Sequence, residues 1–234
     1  MPGSPNCKKA KKDQVKARED FVMTCFEYGD PSATIVLIQP VDEHDLAEIE
    51  NELILIRRMR SETFRLIAVR VNAWNRELSP WEAPAVFGKE PFGGSGADML
   101  KQVLSLCGDG SKTHIIGSYS LAGLFAMWAA YQTDVFRGVA ATSPSVWFPG
   151  FADYMKAHHM RGKAVYLSLG DREEKTRSPV MATVGERIRE AKKRLSEQGV
   201  DCTLEWNPCN HFKGADIRTA KAFAWVMGKL TEDT

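Results

Sequence analysis

Ser120 lies in the run Thr113-His-Ile-Ile-Gly-Ser-Tyr-Ser-Leu-Ala-Gly-Leu-Phe-Ala-Met-Trp128, where an apolar strand passes into a helix through small residues. A serine on such a strand-to-helix turn exposes its hydroxyl at the end of a sheet, provided the positions two before and two after it are small. Ser118 and Ala122 meet that demand, although both stand where the strict pattern G-x-S-x-G has glycine. Ser118 is the poorer nucleophile candidate, because Ile116 occupies the position two before it. The helix that starts at the serine would aim its free amides and its dipole at a developing negative charge, with the NH of Leu121 as the nearest donor. The competing reading is that Ser118 and Ser120 only cap a buried helix.

A serine hydroxyl needs a base within hydrogen-bond reach, and acyl transfer of this kind draws it from a later loop. Of the five histidines, His211 stands in Asn207-Pro-Cys-Asn-His-Phe212, between the last strand candidate and the last helix candidate. That loop opens on the carboxyl side of a parallel sheet, the side on which Ser120 would turn. His44, His114, His158 and His159 sit at helix ends or in a strand, where solvent-facing or capping roles are expected. The third member should orient the imidazole, and Leu167-Ser-Leu-Gly-Asp-Arg-Glu-Glu174 supplies acids after a strand lying between serine and histidine. Glu173, three residues after Gly170, is the first choice and Asp171 the second, in a charged cluster that would otherwise read as solvated cover.

These groups require a scaffold of alternating strands and helices. Strands are expected at 21–28, 34–39, 64–71, 113–118, 137–142, 164–169 and 202–206, several of them apolar throughout, as suits parallel strands buried on both faces. Helices are expected at 45–60, 96–107, 121–131, 151–158, 179–198 and 215–230, with Val180, Val184, Ile188 and Leu195 on one stripe of the fifth. The pattern is that of an α/β protein: a mostly parallel central sheet with helices on both faces. Residues 72–96, rich in proline, glycine and aromatics, read as a long ordered loop of functional kind.

With 31 Lys and Arg against 30 Asp and Glu, the net charge of +1 gives no field that favours nucleic acid or an acidic membrane. A small neutral molecule is the expected partner. No apolar run reaches the roughly 20 residues of a membrane span, and residues 1–19 form a basic leader without a signal-peptide core. Residues 20–234 are expected to form a single domain. Five cysteines with no CxxC pair suggest reduced thiols in a cytoplasm. No histidine pair or acidic cluster has ligand spacing, so neither metal nor cofactor is expected.

From about residue 21 to 230 the chain resembles the esterase family of α/β-hydrolases that includes esterase D and the enterobactin-type siderophore esterases. The family elbow G-Y-S-L-G-G-L-F-A is paralleled at seven of nine positions by Ser118-Tyr-Ser-Leu-Ala-Gly-Leu-Phe-Ala126, and Ser143-Pro-Ser-Val-Trp147, Gly170 with its acidic run, and Asn210-His-Phe212 are similar blocks. The resemblance implies an α/β-hydrolase fold, a catalytic set of Ser120, Glu173 and His211, and a small-molecule ester substrate cleaved through an acyl-enzyme. It also implies a second oxyanion donor after the strand at 34–39; Pro40 has no NH, which leaves Gln39 or Val41. Arg76, in a segment where relatives carry an arginine near the site, is a candidate to hold a substrate oxygen, against a salt bridge to Glu77 or Glu82. Trp81 and Trp147 are candidate pocket walls, against simple packing. The alternatives are an acyltransferase or thioesterase on the same residues, or an inactive binding protein that keeps the fold.

Overall fold

A computed structural model describes residues 23–108 and 110–232. The basic leader and the beginning of the first expected strand, with Cys7, lie outside the described residues. A seven-stranded sheet runs in the order β1 (Cys25–Gly29), β3 (Phe64–Arg70), β2 (Ile35–Val41), β6 (Thr113–Tyr119), β7 (Phe136–Thr142), β8 (Ala164–Gly170) and β9 (Asp201–Asn207). Only β1 is antiparallel to its neighbour; every other pairing in this sheet is parallel.

Alternation along each strand divides the core between the two faces. In β2, Val36 and Ile38 join the core on one face, while Ile35, Leu37 and Val41 join that on the other. The first face is covered by α3 (Gly96–Ser105), α4 (Ser120–Gln132), α5 (Phe151–Ala157) and α6 (Val184–Glu197), the second by α1 (Glu43–Met59) and α7 (Ala215–Glu232). Helix α4 buries every residue from Leu121 to Tyr131, as expected of a helix that is apolar all round. Helix α1 starts where the Asp42 side chain accepts a bond from the amide of Asp45, with Arg57 and Arg58 in its last turn.

Three local expectations need correction. The segment at 72–96 is not merely a loop: it contains the short helix α2 (Trp74–Glu77) and a hairpin of β4 (Glu82–Ala83) and β5 (Phe92–Gly93). Prolines and glycines conceal these elements because each lasts only a few residues. Helix α6 begins at Val184 after a 3-10 turn at Met181–Thr183, which leaves Val180 exposed rather than on the core stripe. His114 is buried in β6, not solvent-facing.

Pro40 sits inside a central strand, where a missing NH would break a ladder. It is accommodated because pairing of β2 with β6 has already ended at Ile38 and Ile116, and the Pro40 carbonyl accepts the Ser118 hydroxyl at 2.7 Å. That bond ties the end of β2 to the turn that carries Ser120.

Candidate active site

Strand β6 ends at Tyr119, and Ser120 then turns the chain into α4 with φ 57°, in the left-handed region that L-residues with a Cβ rarely occupy. Close packing makes the turn possible. A Cβ on Gly123 would lie 3.0 Å from the Ser118 carbonyl oxygen and 3.3 Å from that of Thr142, so glycine lets α4 sit directly against the strand ends. Ser118 is fully buried where the family pattern has glycine, and its hydroxyl is satisfied by Pro40.

His211 stands in the loop between β9 and α7, with Nε2 3.0 Å from Ser120 Oγ and Nδ1 2.7 Å from Glu173 Oε2. Glu173 lies in the turn after β8, its side chain only 4% exposed. Its Oε1 accepts from the Gly170 amide at 2.7 Å, the Ser143 hydroxyl at 2.5 Å and Arg218 at 3.2 Å. Burial alone would raise its pKa; the bonds from His211, Ser143 and the Gly170 amide outweigh it and hold the carboxyl below its ordinary value. Glu173 is thus an anion where it meets the imidazole. Asp171 instead faces Arg172 at 3.9 Å and is half-exposed.

Arg218, 97% buried by its 3% exposure, ties these parts together. It donates to Tyr119 Oη at 2.5 Å, to Ser143 Oγ and to Glu173 Oε1. Tyr119 in turn donates to the backbone carbonyl of His211 at 2.7 Å. One guanidinium therefore fixes the acid directly and the histidine loop through a tyrosine. Ser143 has φ 43°; it and Ser120 are the non-glycine residues with positive φ among those described, and they touch the two ends of the Glu173–His211 pair. Two strained residues against one buried pair single this constellation out as the candidate site.

Two loops must meet closely here. A Cβ on Gly170 would sit 2.4 Å from the Cys209 carbonyl oxygen and 2.9 Å from Glu173 Oε1, so only glycine lets the acid's turn approach the histidine's loop. Bonds from Asp171 N to Asn207 O and from Arg172 N to Cys209 O lock that approach. Cys209 is a free thiol whose sulfur lies 3.7 Å from an Arg218 nitrogen.

Leu121, Gln39 and Val41 lie at the carboxyl ends of β6 and β2. Leu121 follows the serine at the start of α4, where amides have no intrahelical acceptor. The Gln39 side chain faces away, donating to buried Glu52 at 3.1 Å. Among the described residues Arg76, Trp81 and Trp147 share no hydrogen bond, ion pair or ring contact with Ser120 or His211. Arg76 lines a separate cavity of about 660 Å³ with Arg70, Ser95 and Lys101, and lies 3.6 Å from Glu77. Trp81 donates to Pro149 O and packs on Phe148 and Tyr154, while Trp147 packs on Phe87 and Phe92. These aromatics satisfy one another because the hairpin at 82–93 folds over them.

No protein-family model and no curated protein matches this sequence. Solved structures do. An IroE-like serine hydrolase from Shewanella oneidensis superposes with TM-score 0.66 at 12% identity, over 82% of this chain and 70% of that one. The chain has the α/β-hydrolase fold. A siderophore hydrolase, EstA from Aspergillus nidulans, matches at TM-score 0.60 and 16% identity, over 94% of this chain and 100% of its own. A Bacillus cereus carboxylesterase matches at 0.59 and 16%, over 89% and 95%. In this hydrolase fold the sheet carries serine, acid and histidine in chain order on the loops after β6, β8 and β9.

Sequence alone missed Arg218, Tyr119 and Ser143. Arg218 left a trace: it falls four residues before Ala222 and eight before Val226, on the buried stripe of α7. A cation on an apolar stripe implies a buried partner.

Proposed function

We propose that the protein is a serine-dependent carboxylic ester hydrolase acting on a small ester through an acyl-enzyme. The observation that carries this reading is the continuous hydrogen-bonded chain from Ser120 Oγ through His211 to an ionised, buried Glu173. As Oγ attacks the ester carbonyl, its proton passes to His211 Nε2, and Glu173 stabilises the resulting imidazolium through Nδ1–H. The carbonyl oxygen, now an anion, lies over the start of α4, where the Leu121 amide donates, with a second donor from the Gln39–Val41 strand end. His211 then protonates the leaving alcohol, and water repeats the sequence to release the acid. The similarity in fold to esterases of several kinds supports ester cleavage in general.

Replacing Ser120 by Ala is expected to abolish both turnover of p-nitrophenyl acetate and labelling by a fluorophosphonate probe. A variant that hydrolyses the ester at the wild-type rate would overturn the assignment.

A further inference from the structure

A single exposed apolar side chain on a protein surface asks for no explanation. Phe212 differs in its place and in how it is held. It follows His211 directly and is 89% exposed, far more than Phe87 at 49%, the next most exposed large apolar residue among those described. Its ring belongs to neither core; it stands edge-on to the imidazole, with centroids 5.4 Å apart and planes at 89°. The backbone around it is fixed. The Phe212 amide donates to Asn210 Oδ1 at 3.0 Å, the His211 carbonyl accepts from Tyr119 at 2.7 Å, and the Cys209 carbonyl accepts from Arg172 N at 3.2 Å. A loop tied at residues 209, 211 and 212 presents the ring in a set place beside the reacting groups.

The chemistry at His211 decides what passes beside that ring. On the ester-hydrolase reading, on which this inference rests, Ser120 Oγ bonds to the ester carbon and the bond from that carbon to the alcohol oxygen breaks. The alcohol oxygen keeps the electron pair and takes the proton held on His211 Nε2. That transfer needs the oxygen within about 3 Å of Nε2. The carbon chain beyond the oxygen then begins within reach of a ring whose centroid is 5.4 Å from that of the imidazole. Phe212 and Tyr119 both line a cleft of about 270 Å³, which gives the alcohol part room to lie. The acyl part is committed elsewhere, its carbon to Ser120 and its carbonyl oxygen to the amide of Leu121.

We propose that Phe212 is a specificity-determining residue for the leaving alcohol, so that the preferred esters carry an aromatic ring close to the alcohol oxygen, as benzyl esters do. Aromatic pairs take edge-to-face or offset contact at centroid separations of about 4.5–7 Å. A ring attached one carbon from an oxygen on His211 can meet Phe212 at that spacing. Tyr119 cannot serve instead: it is 8% exposed and its hydroxyl is engaged by the His211 carbonyl, which leaves Phe212 as the ring with free faces. Stacking of the two rings also removes apolar surface from water beside the breaking bond.

The test compares kcat/KM for benzyl acetate and allyl acetate, whose alcohols are of similar acidity and so leave with similar chemical ease. The wild-type chain is expected to prefer the benzyl ester by about two- to tenfold, the worth of one aromatic pair. Phe212→Ala, which removes no core packing, should bring that ratio near one, and Phe212→Tyr should restore it. A second ratio, ethyl phenylacetate over ethyl acetate, moves the ring to the acyl side and should be the same in the wild type and in Phe212→Ala. Three results overturn the proposal: a wild-type chain without benzyl preference, an equal loss with both acetates in Phe212→Ala, as a merely structural hold on His211 would give, or an acyl ratio that moves as far as the alcohol ratio. Fluorophosphonate labelling tells the two failures apart. No labelling and no turnover of any ester discards the hydrolase reading and the alcohol subsite with it, whereas labelling and turnover with an unmoved benzyl ratio discards the subsite alone.

Discussion

Arg218→Met separates what the buried guanidinium does for folding from what it does for the reaction. Arg218 and Glu173 are each 4% exposed at the side chain and 3.2 Å apart, so removing the cation leaves a carboxylate in a nearly dry site. Breaking such a buried pair costs about 3–5 kcal/mol. Glu173 keeps its bonds from the Gly170 amide, Ser143 and His211, which puts the loss at the lower end, about 3 kcal/mol. With a urea slope of about 3 kcal/mol per molar, the unfolding midpoint falls by about 1 M. The double variant Glu173→Gln with Arg218→Met leaves no unpaired charge and should regain most of that loss. Activity should follow a different course. Arg218 acts through Tyr119, which grips the His211 carbonyl, so the single variant is expected to lose about 100-fold in kcat at nearly unchanged KM. The double variant stays slow because the acid is gone. A single variant as stable as the wild type, or a double variant no more stable than the single, would refute this account of the pair.

Gly170→Ala forces a Cβ to within 2.4 Å of a backbone oxygen that cannot yield, and should cut kcat/KM at least about 100-fold by parting the two loops; steady-state kinetics on the folded variant checks it. Because Glu52 keeps its proton up to about pH 8 in the fold but loses it near 4.5 when unfolded, the unfolded chain binds fewer protons across that window. Stability should therefore fall as pH rises from 4.5 to 8, by up to about 1.4 kcal/mol per unit, and Glu52→Gln should flatten the slope measured by urea titration at a series of pH values. The opposite sign holds for Glu173: its carboxyl is held below 4.5, so its contribution is present above that pH and is lost on further acidification, a loss expected to be absent in Glu173→Gln.

The elements that position the site were legible because their signals are local. The run Ile35 to Val41 is buried at every residue and declares a central strand, and α6 shows Ile188, Ala191 and Leu195 at helical spacing against charged cover. The hairpin of β4 and β5 was not legible: two-residue strands have no period to read, and their pairing of Glu82 with Gly93 is decided by the aromatic cluster they cover. The same limit explains Val180, whose apolar side chain fits the stripe but lies before the helix has begun.

Within the site, the serine and histidine could be read because a turn and a loop each have a composition that betrays them. The sequence puts Glu173 ahead of Asp171, and the contacts supply the reason: Gly170 folds the chain so that the residue three further on, not the next one, points back under His211. What Arg218 binds was not legible. Its partners Tyr119, Ser143 and Glu173 stand 99, 75 and 45 residues away in the chain, and no short pattern links them. The general consequence is physical: Ser120 and His211 stand half-buried on a turn and a loop, which local sequence encodes, whereas the charge balance that keeps Glu173 ionised is a property of the assembled core. A guanidinium on the buried stripe of the last helix is the one trace of that balance left in the sequence. It asks for an anion that only the folded chain can identify.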